Sequence, residues 1–105
     1  MMILNVTFAI QAEVVNEVEK YLLEDLFPTI EKLDQVVGLR YMEVLNSVSG
    51  EELTKCLHVE FDERKDLHQF YSTYFPQMQK NITEKFGEKC LYYGSLLDVI
   101  KDKTT

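Results

Sequence analysis

The spacing of apolar residues along this chain switches between two, which is typical of a half-buried strand, and three or four, which is typical of an amphipathic helix. Residues 3–10 alternate and predict a strand. From residue 13, apolar side chains recur every three or four positions as far as Leu33 and predict a helix that faces a core. Pro28 lies inside this helix and is expected to kink or break it, because proline has no backbone N–H. The apolar face of the strand is Leu4, Val6, Phe8 and Ile10.

The second half of the chain adds a hairpin and then another helix. Residues 36–45 and 53–61 are strand-like, and residues 46–50 between them have turn composition, which predicts a β-hairpin. Asp62 is the predicted N-cap of the second helix, and Gly87 is its predicted C-terminal stop. The apolar stripe of this helix is predicted to be Leu67, Phe70, Tyr71, Tyr74, Met78, Ile82 and Phe86.

The order of the elements is β-α-β-β-α-β, with residues 90–100 as the last strand. Each helix contains an aromatic residue followed by a proline, at Pro28 and at Pro76, so the two halves resemble each other. Two β-α-β units with right-handed crossovers interleave into one antiparallel four-stranded sheet of order 4-1-3-2, with both helices on one face. The sequence therefore predicts a single ferredoxin-like α+β sandwich over residues 1–100 and a frayed tail at residues 101–105.

Charge and cysteine usage narrow the choice of partner and compartment. The 105 residues carry a net charge of −7, and the 11 Lys and Arg are scattered among acids, so we expect no nucleic-acid or membrane partner. The first residues lack the basic region of a signal peptide, and no apolar run is long enough to span a membrane. Cys56 and Cys90 fall on strands that the predicted order separates by about 9.6 Å, whereas a disulfide tolerates roughly 7 Å between Cα atoms. We expect two free thiols and a cytoplasmic protein.

One face of the predicted sheet has no helix over it, and its centre is polar. His58 could act there as a general base that Glu60 orients, or the whole group could be a hydrogen-bonded polar cluster with a structural role only. Cys56, His58 and Glu60 are metal-ligand types, but neighbours on the same face of a strand are about 7 Å apart, so no metal and no cofactor is expected. The candidates for a ligand pocket are Asn5, Thr7, His58, Glu60 and Tyr92.

The outer strands are apolar on both faces, which is typical of strands that are covered on both faces. Met42 and Val44 of the second strand, and Leu96 and Ile100 of the fourth, are predicted to lie on the uncovered face. A single domain has nothing left to cover that face, so we predict a homodimer in which two sheets pack against each other. Pairing through an edge or a helix, or a different partner protein, is the alternative.

Several segments resemble a short bacterial family of unknown function. They are residues 3–7, the Phe27-Pro28 pair, the run from Tyr74 to Gly87, and residues 95–99. The resemblance covers nearly the whole chain and implies a ferredoxin-like fold similar to that of dimeric α+β barrel proteins. Members of the family commonly carry a histidine two residues before the first-helix proline, where this chain has Leu26. The resemblance implies no activity, because none is assigned to the family.

Two functions remain open on the sequence alone. The first is a non-enzymatic, homodimeric binding or assembly module. The alternative is a small-molecule-binding protein or cofactor-free enzyme of the dimeric α+β barrel type, with its pocket on the uncovered sheet face. Dimeric α+β barrels include both small enzymes and proteins that only bind ligands, so the fold does not choose between them.

Overall fold

Four strands form one sheet in the computed structural model, which describes residues 1–46 and 52–103. Every neighbouring pair is antiparallel and the order is β2-β3-β1-β4, the predicted order read from the opposite edge, so the ferredoxin-like α+β fold is confirmed. The predicted turn at residues 46–50 lies, from residue 47 onwards, outside the described residues, and the domain boundary at residue 100 stays a prediction. The strands are β1 (Met2–Gln11), β2 (Gly38–Glu43), β3 (Glu52–Phe61) and β4 (Cys90–Asp98).

The first helix is continuous but irregular. A 3₁₀ turn at Ala12–Val14 leads into α1 (Val15–Tyr21), a π-helical turn (Leu22–Leu26) and α2 (Phe27–Glu31). In the π turn the Phe27 N–H bonds to the Leu22 carbonyl, five residues back. Pro28 follows at the start of α2, and the Thr29 hydroxyl donates to the Asp25 carbonyl at 2.7 Å. The predicted irregularity at Pro28 therefore takes the form of a π turn and not of a broken helix.

The second helix, α3 (Arg64–Phe86), runs through Pro76 without interruption. Its N-cap is Glu63 and not the predicted Asp62, because Glu63 is the last residue with extended backbone angles before the helix begins. Gly87 ends the helix as predicted, with a φ of 56° that a residue with a side chain rarely adopts, and a 3₁₀ turn at Gly87–Lys89 follows.

The core lies between the sheet and the helices. Leu4, Val6, Phe8 and Ile10 of β1 are completely buried there. From the helices it receives Val18, Leu22, Ile30, Leu67, Phe70, Phe75, Met78 and Ile82.

The predicted stripe of α3 was wrong at two of its tyrosines. Tyr71 and Tyr74 are each 37% exposed, and Phe75 is buried instead. Tyr71 stacks on Phe75 with ring centroids 5.0 Å apart, and Tyr74 stacks on Phe70 at 5.5 Å. The two tyrosines therefore line the margin of the stripe and shield its buried rings.

No helix of the described residues lies over the other side of the sheet, and we call this side the open face. Cys56 is half-buried on this face and Cys90 is buried on the helix side, and both are free thiols, as predicted. Among the described residues, no helix combines the length and the apolar character that a membrane crossing requires.

Candidate functional site

Directly paired residues of antiparallel strands point to the same face, so the register shows which side chains share the open face. Asn5 pairs with His58, and Thr7 pairs with Cys56. Glu60 lies one step along β3 on the same face and is paired with Ile3. The structure thus brings four of the predicted pocket residues together at the centre of the open face, all of them half-buried. What these residues do there stays a prediction.

Half of this polar centre is a short hydrogen-bonded chain. The Asn5 amide Nδ2 donates to Thr7 Oγ1 at 3.3 Å, and Thr7 Oγ1 lies 3.8 Å from Cys56 Sγ, within reach of a weak hydrogen bond. The chain crosses from β1 to β3 and holds three side chains flat on the sheet.

The other half is a charged cluster. His58 Nε2 lies 3.3 Å from Glu60 Oε1, and the Arg40 guanidinium of β2 lies 3.9 Å from the same oxygen. A Cβ atom at Gly38, the direct partner of Glu60, would overlap the Glu60 carboxylate, so glycine there lets this carboxylate lie against the backbone of β2. A carboxylate bonded to one imidazole nitrogen fixes the ring orientation and leaves the other nitrogen to act on a bound molecule.

Sequence reasoning missed Arg40, although its cross-strand partner is His58. The alternation of side chains along β2 contained the signal, because Arg40 is two residues before Met42 and therefore lies on the same face. Of the residues of the four strands that the structure places on the open face, Arg40 is the only lysine or arginine.

Tyr92 was predicted to supply a hydroxyl to this face, and that prediction was wrong. Tyr92 pairs with the buried Phe8, so its side chain lies on the helix side of the sheet. Its hydroxyl donates to the Gln79 carbonyl of α3 at 3.1 Å and lies 2.9 Å from Thr83 Oγ1. Tyr92 therefore connects β4 to α3 and takes no part in the open face.

The predicted dimer residues of β4 were assigned to the wrong face of the sheet for the same reason. Leu96 pairs with Leu4 and lies on the helix side, and Ile100 follows the end of β4 and belongs to no strand. Gly94 explains why the even-numbered residues of β4 point to the helix side. A Cβ there would come within 3.0 Å of Phe75 and 3.3 Å of Leu4, so the residue that faces Phe75 has to be a glycine.

The open face of β4 instead carries three large apolar side chains and Ser95. Leu91, Tyr93 and Leu97 are 55%, 65% and 45% exposed. On the opposite edge, Met42 lies on the open face as predicted, paired with Cys56. Val44 follows β2 and donates its N–H to the Thr54 carbonyl at 2.9 Å, which continues the pairing of β2 with β3 by one residue.

A second polar cluster, which the sequence did not reveal, lies on the helix side near one end of the sheet. Lys55 of β3 is buried, with its Nζ 2.8 Å from Glu43 Oε1 and 3.4 Å from Glu19 Oε2 of α1. The Tyr41 hydroxyl donates to the same Glu19 carboxylate at 2.9 Å. Burial, followed by the bond to Glu19, raises the pKa of Tyr41. The bond to Glu43 raises the pKa of Lys55 against the opposing effect of burial, so the lysine is a buried cation with two partners.

Metal-ligand clusters are not found in the part of the chain that the structure describes. No group of three or more His, Cys, Asp or Glu side chains there is arranged to hold an ion.

Comparison with solved structures supports the fold at low sequence identity. A Deinococcus radiodurans protein named as a candidate antibiotic biosynthesis monooxygenase is 11% identical, with a TM-score of 0.77 over 100% of this chain and 98% of its own. An EthD family protein from Bacillus halodurans is 16% identical, with a TM-score of 0.66 over 95% of this chain and 100% of its own. A dimeric ferredoxin-like protein from an uncultured marine organism is 12% identical, with a TM-score of 0.64 and complete coverage of both chains. These identities show a shared fold alone.

Sequence comparison identifies the family. No curated protein matches the chain. A family model described as a domain of unknown function, DUF4286, matches residues 1–100. The chain therefore belongs to the DUF4286 family.

Proposed function

We propose that this protein is a non-enzymatic binding or assembly module that works as a homodimer, with the open faces of two sheets packed against each other. The observation that carries the proposal is the exposure of Leu91, Tyr93 and Leu97 along the open face of β4. Full burial of such a side chain contributes roughly 1.5–3 kcal/mol. Because all three are about half exposed or more, a covering surface would gain a substantial part of that amount from each.

The polar centre of the open face supports the same proposal. Asn5, Thr7 and Cys56 contact one another in sequence, and His58 contacts Glu60, so part of the polar surface already has a partner within the chain. A polar group that is already hydrogen-bonded can be covered at little cost, whereas an unpaired one cannot. A second sheet can therefore pack over this centre. The marine protein with the same fold is described as dimeric, which is consistent with this arrangement.

Sedimentation equilibrium at micromolar concentration tests the dimer. We expect the wild type to sediment with twice the chain mass of 12.3 kDa. Leu97→Glu puts a charge into the proposed interface and should give a particle of the single-chain mass. Leu23→Glu is the matched control, because Leu23 is 48% exposed but lies on the helical layer, and this variant should remain dimeric. A monomeric wild type, or a Leu97→Glu variant that stays dimeric, contradicts the proposal.

A second candidate function is favoured by the orientation of His58. In this alternative, two open faces enclose a chamber between them, and Asn5, Thr7, His58 and Glu60 line its floor. The observation in its favour is that Glu60 Oε1 lies 3.3 Å from His58 Nε2, because a general base or a ligand-orienting imidazole needs a carboxylate beside one ring nitrogen. Such a protein would bind a small molecule or act as a cofactor-free enzyme.

Native mass spectrometry of the protein as purified from cells distinguishes the two candidates. A small molecule that co-purifies with the wild type and with His68→Gln, but not with His58→Gln, supports the chamber. His68 is the matched control because it is exposed on α3, away from the open face. If no molecule is retained, or if both variants retain it equally, the open face serves assembly only.

We also propose that the protein is cytoplasmic. The support is that Cys56 and Cys90 are both free thiols, which suits a reducing compartment.

A further inference from the structure

A groove between the two helices lies on the side of the sheet away from the open face, and it plays no part in the proposed dimer. Its volume is about 200 Å³. The buried part of its lining is apolar and comes from both helices, with Ile30 from α2 and Phe70 and Met78 from α3. An apolar cavity of roughly 150 Å³ is known to hold benzene. The groove therefore has room for one aromatic ring, or an aliphatic body of similar size, with a short substituent.

The rim of the groove has one charge. Asp25, in the π turn, is the only ionised side chain among the residues that line the groove. It is exposed, and none of the ion pairs within residues 1–46 and 52–103 involves it. A second surface hollow, which Lys20 and Lys85 line, shares Tyr21 and Asp25 with the groove, and neither lysine is within ion-pair distance of Asp25. A carboxylate without a cationic partner, at the mouth of an apolar hollow, favours a positively charged group in a bound molecule.

Aromatic rings beside Asp25 also favour a positively charged group in the bound molecule. Tyr21 and Tyr74 line the groove, and Tyr74 stacks on Phe70 with 5.5 Å between ring centroids. The face of an aromatic ring attracts cations, and the Tyr21 ring already carries one, the Lys85 ammonium at 5.3 Å from its centroid. Burial raises the pKa of Tyr21, a hydrogen bond with Asn81 lowers it, and the Asp25 carboxylate raises it. Asp25 therefore lies close enough to Tyr21 to act on its hydroxyl electrostatically.

We propose that this groove binds a small organic cation, an ammonium group on a one-ring or short aliphatic body. The ammonium lies against the Asp25 carboxylate and the Tyr74 ring, and the apolar body lies on Ile30, Phe70 and Met78. Because the groove is formed within one chain, the proposal does not depend on the dimer.

Nuclear magnetic resonance titration of the ¹⁵N-labelled full chain tests the site, with 2-phenylethylamine as the probe. The neutral 2-phenylethanol and the anionic phenylacetate have the same ring and a similar length and serve as controls. We expect saturable shifts of amides in residues 21–30 and 70–81 with the amine. The alcohol should bind roughly fivefold more weakly than the amine, because a partly exposed charge contact usually contributes an affinity difference of that size. The acid should bind more weakly than the alcohol. Equal affinity for amine and alcohol, or no saturable shift in these segments, overturns the proposal.

Two variants assign the effect to named side chains. Asp25→Asn should remove most of the advantage of the amine over the alcohol and leave the affinity for the alcohol unchanged. Glu24→Gln removes the same charge from the neighbouring residue of the π turn, which does not line the groove, and should leave both affinities unchanged. Tyr74→Leu keeps an apolar wall but removes the ring, so it should weaken only the amine. Equal effects of Asp25→Asn and Glu24→Gln would mean a diffuse field and no site.

Discussion

Replacement of the buried Lys55 by methionine should destabilise the protein by about 2 kcal/mol. Removing one partner of a fully buried ion pair costs about 3–5 kcal/mol, and removing one from an exposed pair costs about 0–1 kcal/mol. Lys55 belongs to the first class, since only 9% of its side chain is exposed. Its two carboxylate partners are intermediate, with Glu19 31% and Glu43 54% exposed, so water can compensate part of the loss. Methionine is also unbranched and is only one atom shorter than lysine, which keeps packing changes small.

Urea unfolding followed by circular dichroism measures this cost as a shift of the midpoint at constant slope. Lys65→Met is the control, because Lys65 also forms an ion pair, 3.2 Å from Glu63, but 80% of its side chain is exposed. The control should unfold at the wild-type midpoint. If Lys55→Met is as stable as the wild type, or if both variants lose the same stability, the reasoning that burial gives the Lys55 cluster its importance is refuted.

The pH dependence of the same variant gives an independent check of the sign. The bond to Glu43 raises the pKa of Lys55 above its usual value of 10.5, so the folded chain keeps this proton longer than the unfolded chain does. The stability that Lys55 contributes is therefore complete below pH 10.5 and is lost as the pH rises further. The wild type should lose more stability above pH 10.5 than Lys55→Met does, and the reverse order would show that the cluster does not hold a charged lysine.

Three further predictions concern β4. Tyr92→Phe should lower the free energy of unfolding by about 1–2 kcal/mol, since it removes the hydroxyl contacts with α3. Tyr93→Phe is the control and should leave this free energy unchanged. Equal effects would contradict the observation that the two tyrosines lie on opposite faces of the sheet. Burial raises the pKa of Cys90 to about 11 from 9.0, so the unfolded chain ionises first and wild-type stability should fall from pH 9 upwards. In Cys90→Ala, the fall in stability between pH 9 and 10 should be smaller. An unchanged slope would refute this expectation. Gly94→Ala should destabilise by roughly 1–3 kcal/mol, because its Cβ meets Phe75 at 3.0 Å, and the double variant with Phe75→Leu should recover part of the loss in a thermal melt; no recovery would point to another cause.

The sequence predicted the element order and the centre of the open face because β1 and most of β3 alternate clearly between apolar and polar residues. Only one register of such strands buries the apolar face, so the side to which Asn5, Thr7 and His58 point follows directly. β4 could not be predicted in this way, because residues on both of its faces are apolar. Its parity depends on Gly94 meeting Phe75, a tertiary contact that no local pattern contains.

The Lys55 cluster and the helix groove were missed for different reasons. Lys55 stands at an inward position of β3 next to Leu57, which was a signal that a buried cation needed partners, but the partner Glu19 comes from a distant helix. The groove depends on how α2 and α3 diverge and on the π turn that carries Asp25. Tyr74 lies at the rim of the groove because of three-dimensional packing, whereas helical periodicity had predicted that this residue lies in the core.

The position of β1 between β3 and β4 also has a consequence for how the chain is made. Met2 pairs with Phe61 on one side and with Asp98 on the other, so the strand that leaves the ribosome first acquires its second neighbour last. Contacts so distant in sequence slow folding, because a large loop must close before they form. Throughout this interval one edge of β1 is unpaired and open to other nascent chains. During synthesis, this edge of β1 therefore stays unpaired until β4 has been made.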